Sequence, residues 1–269
     1  VINATTNHDG TAATGYTGTS STNFTIGAKA SADQAAGDYT NVITFTAVTN
    51  EVPAYMQSFT ASECQSLASD ANYTVYDARD GSDYTVRYIE GACWMTQNLR
   101  ITGTVSSNES NFSTYNSVNV CEEDIINGGS LDTPQCHDSG NDTYGVWYNY
   151  AAASAKTIIG SSDDTLATED ICPANWHLPS YIIANNTAGS IGSLVSTMST
   201  SLPKFSPVAG GVYHYDGQLA YTNTGSWWTS AVIVNGSMAH YLNYDSSTGV
   251  IDNSGHYRDD AHYIRCVRL

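Results

Sequence analysis

Near the carboxyl-terminal end of the sequence, "HYRDDAH" gathers four side chains of metal-ligating type. His256, Asp259, Asp260 and His262 offer two imidazoles and two carboxylates within seven positions. Imidazole nitrogen and carboxylate oxygen together suit zinc and its transition-metal neighbours. The same carboxylates have a plainer use, which is the expected one: pairing with Arg258 or Arg265, or capping a turn. Upstream, "NYDSSTGVIDNSG" carries Asp245 and Asp252 in an oxygen-rich stretch that reads as a loop. Oxygen ligands suit calcium, but the spacing is not that of an EF-hand loop. Asp245, Asp252, Asp259 and Asp260 are therefore weak metal candidates. No resident metal or cofactor is expected, and calcium is the one ion left open.

Other chemistry has less support. No H-E-x-x-H, G-x-S-x-G or P-loop pattern occurs, so no catalytic residue is assigned. The six cysteines include no C-x-x-C pair, which removes the main signature of zinc ribbons and thioredoxin-like sites. An even count in an acidic, lysine-poor chain points to three disulfides and an oxidising compartment. Aromatic side chains offer a different function. Tyr213, Tyr215, Trp228, Tyr241, Tyr244 and Tyr257 are candidates for stacking on sugar faces without calcium. Trp227 and Trp228 are adjacent and face opposite ways on a strand. One is expected in the core, and Trp228 is the candidate for an exposed binding face.

Composition narrows the partners. Among 269 residues, 26 are acidic and 9 basic, a formal charge of −17. Phosphate binding needs clustered lysine and arginine, so nucleic acid is excluded as a partner and anionic lipid disfavoured. The lysines are Lys29, Lys156 and Lys204 alone. No apolar run approaches membrane-spanning length, so no membrane span is expected. Abundant Thr and Tyr favour strands.

The elements that must position these residues are short. Residues 1–50 contain neither cysteine nor tryptophan. Within them "TNFTIGAKAS" and "GDYTNVITFTAVTN" alternate apolar and polar residues as two strands of a β-sandwich. Two strands do not make a stable sandwich alone. Residues 20–49 are thus expected to pair with upstream sequence or with a neighbouring subunit, a route to self-assembly. Residues 51–62 read as a linker, and a short helix capped by Thr60 or Ser62 is expected through "SECQSLA". "YTVRYIEGACWMTQNLRI" predicts a hairpin turning at Glu90-Gly91. "YGVWYNYAAASA" predicts a strand running into a helix. "AGSIGSLVSTMS" has the apolar spacing of a short helix. Three strands are expected at the end: Trp227–Val234, Ala239–Tyr244 and Ala261–Val267, with Asn235-Gly236 turning the first pair.

Five blocks occur in order: "CWMTQNLRI", "YGVWYNYAAA", "ICPANWHLPS", "WWTSA" and "YIRCVRL". Together they resemble the Fibrobacter succinogenes major paralogous domain over roughly residues 84–269. That family is related to the formylglycine-generating-enzyme fold and, more remotely, to C-type lectins. The resemblance implies an α+β fold, irregular and loop-rich, over residues 63–269. It implies secretion, and no activity. Residues 1–50 resemble part of an immunoglobulin-like bacterial surface module. In lectin-like folds a long disulfide ties the chain end to the second half, which implies Cys172–Cys266. Sequence proximity then favours Cys64–Cys93 and Cys121–Cys136. Formylglycine-generating enzymes use a reactive cysteine pair, whereas only Cys266 follows Cys172 here, so the oxidase reading fails. The expectation is a non-catalytic, extracellular bacterial surface protein, an adhesin or appendage subunit, with a host-cell surface or glycan as ligand. The alternative is a calcium-independent carbohydrate-binding module.

Overall fold

In a computed structural model, residues 54–67, 71–159, 166–180, 203–232 and 236–269 are described, besides residues 32, 33 and 37, with backbone alone at 232 and 250–254. The chain divides into two compact units, Val1–Pro53 and Ala54–Leu269. The sandwich expected over residues 1–50, the helix expected over residues 188–199 and the turn residue Asn235 lie outside the described residues.

In chain order the second unit holds α1 (Ala61–Ser66), β1 (Tyr73–Tyr76), β2 (Asp83–Ile89), β3 (Ala92–Met95), β4 (Thr104–Ser106), β5 (Ser117–Asn119), β6 (Glu123–Asp124) and β7 (Gln135–Asp138). There follow β8 (Val146–Tyr148), α2 (Tyr150–Ala153), β9 (Val212–Tyr213), β10 (Leu219–Ala220), β11 (Thr224–Val232), β12 (Met238–Asp245), β13 (Val250–Tyr257) and β14 (Val267–Arg268). The strands form five small sheets, ordered β1-β2-β3-β14, β4-β5, β6-β7-β8, β9-β10 and β11-β12-β13. Only the β6–β7 pair is parallel among them.

This is a mostly β architecture, and the expected α+β class of the formylglycine-generating-enzyme type is overturned. Among the described residues the α-helices α1 and α2 span six and four residues, supplemented by two three-residue 3-10 turns and helical residues 203–205. The apolar periodic segments are built from Tyr, Val, Trp and Thr, whose branched or aromatic side chains fit a pleated surface. Helix signals are confined to caps. Thr60 starts α1 through a reciprocal capping box, its hydroxyl accepting from Glu63 N while the Glu63 carboxylate accepts from Thr60 N. Asn149 caps α2, and its amide donates to the Ser130 and Thr133 carbonyls. Residues 54–62, read as linker, belong to the second unit's core: Met56 and Phe59 are buried, and Trp176 Nε1 donates to Met56 O.

Strand alternation serves two cores. On β3, Cys93 and Met95 join the larger cluster while Ala92 and Trp94 join a second one. On β11, Trp228 enters the larger cluster and Trp227 the second. Adjacent residues do face opposite ways, as period-two geometry requires, but both faces are covered. Trp228 is 0% exposed, which overturns its assignment to an exposed binding face. Its ring meets Tyr150 edge-on at 5.2 Å, and its Nε1 donates to Tyr148 O at 2.7 Å.

The β2–β3 hairpin turns at Glu90 and Gly91 with φ of 47° and 87°. Two successive left-handed residues match the twist of the strands they join. The third strand of the last sheet is not Ala261–Val267. Val250–Tyr257 takes that place, paired over its whole length with β12 from Met238↔Tyr257 to Asp245↔Val250. Residues 261–263 instead make single bridges to Tyr213, Tyr148 and Trp227.

The segment "ICPANWHLP" is pinned at both ends. His177 and Val267 exchange backbone hydrogen bonds at 2.9 Å. Cys172 is bonded to Cys266 across a sequence separation of 94, and Cys64–Cys93 and Cys121–Cys136 complete the disulfides. These are the pairs named from the sequence and the resemblance. Between the ends, the buried Asp170 carboxylate accepts from Cys172 N, Leu178 N and Asn111 Nδ2 at 2.9, 2.9 and 3.1 Å.

Two outcomes follow from this packing. Replacing Trp228 by alanine leaves a large cavity and removes one of the two hydrogen bonds that the Tyr148 carbonyl accepts. Urea titration should show a loss of about 3–5 kcal/mol; a loss typical of a surface site would contradict the buried role. Burial raises the Asp170 carboxyl to about 6, against the pull of its three donors and of His177, from an ordinary value of 3.8. The folded chain then holds this proton more tightly than the unfolded one. The stabilisation is complete below the ordinary value and is lost as the pH rises through the raised one. The stability difference between wild type and Asp170→Asn should therefore grow as the pH falls from about 7 to about 4. A flat or shrinking difference in a pH series of unfolding curves would refute the assignment.

Candidate functional site

The β9–β10 hairpin walls two depressions. Its sequence, "VYHYDGQLAY", carries an Asp216-Gly217 turn in which Asp216 Oδ1 accepts from Gln218 N and Gly217 takes a φ of 76°. Tyr213 faces a depression of about 310 Å³ that includes Tyr144, Trp147 and Leu219 in its lining. The second depression, of about 280 Å³, is lined by Val212, Tyr221, Thr224, Tyr241, Asn243 and His256 among others.

At the edge of the second depression lies a polar cluster that β9 and the turn after β13 assemble. Ala261 N donates to Tyr213 O at 2.7 Å, and Asp260 N donates to Tyr257 O at 3.2 Å. These bonds carry the Asp260 side chain inward, where it is fully buried. Tyr215 N donates to Asp260 Oδ1 at 2.6 Å. His256 Nδ1 lies 2.5 Å from Asp260 Oδ2, and His214 Nδ1 lies 3.6 Å from Oδ1. The angles at the closer contact are not those of a hydrogen bond, so His256 Nδ1 and Asp260 Oδ2 each lack a hydrogen-bond partner. The His214 and His256 rings are 5.4 Å apart.

Beneath this trio, His262 is fully buried, with its ring 4.0 Å from Trp228, 4.9 Å from Tyr241 and 5.0 Å from His256. Neither of its ring nitrogens has a hydrogen-bond partner. Burial first, then the neighbouring His256 and His214, hold its pKa well below the usual histidine range. It is a neutral imidazole in the folded chain.

The sequence candidates are thus split. Of the six aromatics, Tyr241 lines the second depression and Tyr213 the first. Tyr215 and Tyr257 are 56% and 52% exposed and bond to Asp260 through their backbones. Tyr244 is half-buried against the second core, and Trp228 lies wholly inside. They form no single platform. Tyr221, 58% exposed and 5.4 Å ring to ring from His214, was missed. Its signal was the Asp-Gly turn, which folds "QLAY" back beside "VYHY".

The acidic candidates are also separated. Asp245 and Asp260 lie at opposite ends of the β12–β13 hairpin. Asp245 accepts from the Ser247 amide and hydroxyl in a local turn, which lowers its pKa. Asp252 pairs with Asn243 in register, and its side chain is outside the described residues. Asp259 is half-buried, and burial and then the nearby Asp260 raise its pKa. The expected pairing of Asp259 and Asp260 with Arg258 or Arg265 does not occur among the described residues: Asp260 meets histidines. Arg265 is instead held by Asn98 Oδ1 at 2.7 Å and by the Phe205 and Ser206 carbonyls.

Chemically, the cluster joins imidazole to carboxylate without a nucleophile. Among the described residues no serine, threonine or cysteine side chain hydrogen-bonds His214 or His256, so no activated hydroxyl or thiol is formed there. His214, His256 and Asp260 are the group whose ligand atoms all lie within 4.8 Å of one another. No protein-family model matches the sequence, and no curated protein or solved structure matches it either.

Proposed function

We propose that the chain is a non-catalytic, extracellular bacterial surface protein, an adhesin or appendage subunit, whose unit Ala54–Leu269 binds a neutral saccharide. The observation that carries this reading is the second depression, where Tyr221 and Tyr241 stand beside Thr224, Asn243 and His256. Sugar rings present apolar C–H faces that stack on tyrosine, and their hydroxyls bond to amide, hydroxyl and imidazole groups. The net charge of −17 disfavours an anionic ligand.

Two further features support the placement. Three disulfides suit an oxidising compartment. No described helix is long and apolar enough to cross a membrane. The five ordered blocks that resemble the Fibrobacter succinogenes major paralogous domain support a bacterial surface setting. Self-assembly through residues 20–49, with a neighbour's strand completing the sandwich, belongs to the same reading.

A glycan array probed with the 269-residue chain should return neutral saccharides. Calorimetry on the best of them should then show Tyr221→Ala and Asn243→Ala each weakening binding roughly tenfold, about 1.4 kcal/mol, with unchanged melting temperature. An array without neutral saccharides, or affinity indifferent to both substitutions, would refute the reading.

A further inference from the structure

We propose that His214, His256 and Asp260 bind one late first-row divalent cation, Zn²⁺ foremost, at the edge of the second depression. The donor set is two imidazole nitrogens and a carboxylate. Calcium, which takes six or more oxygen ligands, does not fit it; zinc does, and zinc commonly takes three protein ligands with a fourth position open. At bond lengths of about 2.0 Å a tetrahedral zinc holds its ligand atoms roughly 3.3 Å apart. The contacts from Asp260 to the two histidines, 2.5 and 3.6 Å, bracket that spacing.

A second observation points to a missing partner. Asp260 is 0% exposed, and no lysine or arginine pairs with it among the described residues. Its Oδ2 and the facing Nδ1 of His256 are buried without hydrogen bonds. A buried carboxylate in that condition is costly, and a cation bonded to both atoms, which part slightly to admit it, would satisfy both. The Tyr215 amide fixes the other carboxylate oxygen, as outer-shell donors do for metal ligands.

The site has a way in. His214 and His256 keep 25% and 18% of their side-chain surface exposed, and His256 lines the depression. The fourth coordination position therefore opens toward bound water or a ligand hydroxyl. The negative chain also raises the local cation concentration. This site stands whether or not the depression takes a saccharide.

The test uses the full 269-residue chain, stripped with chelator and titrated with Zn²⁺ alone by calorimetry. Visible spectra with Co²⁺ report the coordination. Wild type should take up one Zn²⁺ saturably and give the intense bands of tetrahedral Co²⁺. His214→Ala and His256→Ala should each weaken uptake roughly tenfold or more and lose those bands. His214→Gln, which keeps the side-chain volume, should behave alike, and near-UV circular dichroism checks that each variant is folded. Absence of saturable uptake by wild type, uptake unaltered in the folded variants, or displacement by equimolar Ca²⁺ would overturn the site. Saccharide binding is measured separately on the stripped chain, so the two readings fail independently.

Discussion

The carboxamide of Asn98 joins most of what the second unit has to hold together. Its oxygen accepts from Trp227 Nε1 and Arg265 Nε, both at 2.7 Å, and its nitrogen donates to Tyr144 O at 2.6 Å. One amide thus ties four segments that lie far apart in sequence. Arg265 is buried and has no carboxylate partner among the described residues. Its guanidinium stacks 4.4 Å over Phe205 and 5.0 Å over Trp227 and donates to two backbone carbonyls. Such a cation is held by oriented dipoles and ring faces, so every donor must be met. The candidate site inherits this arrangement. Trp227 fixes β11, its neighbour Trp228 donates to Tyr148 O, and Tyr148 exchanges backbone hydrogen bonds with His262.

The trio at the depression is one place where buried polar atoms lack hydrogen-bond partners; Trp94 Nε1, Ser226 Oγ and Tyr263 Oη are others. Many buried polar side chains are well met. Tyr148 Oη reaches Ile101 O, Trp147 Nε1 reaches Gly211 O, and the Arg79–Asp77 pair is closed by Ile171 O and Ser110 Oγ. At the depression such atoms gather: nitrogens of His262 and His256 and an oxygen of Asp260 lie close together.

Much of the local structure was legible in the sequence. The Glu90-Gly91 hairpin, a helix capped at one of the two candidates, Thr60, and the strand that runs into α2 each follow from turn, cap and period signals a few residues long. What was not legible depended on partners distant in sequence. The strand β13 reads "VIDNSGHY", a composition that favours turns, and it becomes a strand because β12 supplies its ladder. Trp228 looked like a surface residue because period two says that neighbours diverge, not that both faces are covered. His214 lies in another hairpin from His256, and the Tyr213–Ala261 bridge and the Tyr215–Asp260 hydrogen bond bring them together. The fold class was misread because resemblance in five blocks carries no information about the length of the helices between them.

The pairing of β14 with β3 has a consequence for how the chain matures. Val267 lies beside Trp94, and Cys266 is bonded to Cys172, so the first sheet is completed by residues far along the sequence from the strand they join. Until residues 266–268 dock, Trp94 lacks its sheet neighbour and Cys172 its thiol partner. Contacts of such sequence separation form late and slowly. Closure of the first sheet is therefore a late event in folding, and the Cys172–Cys266 bond locks it once formed.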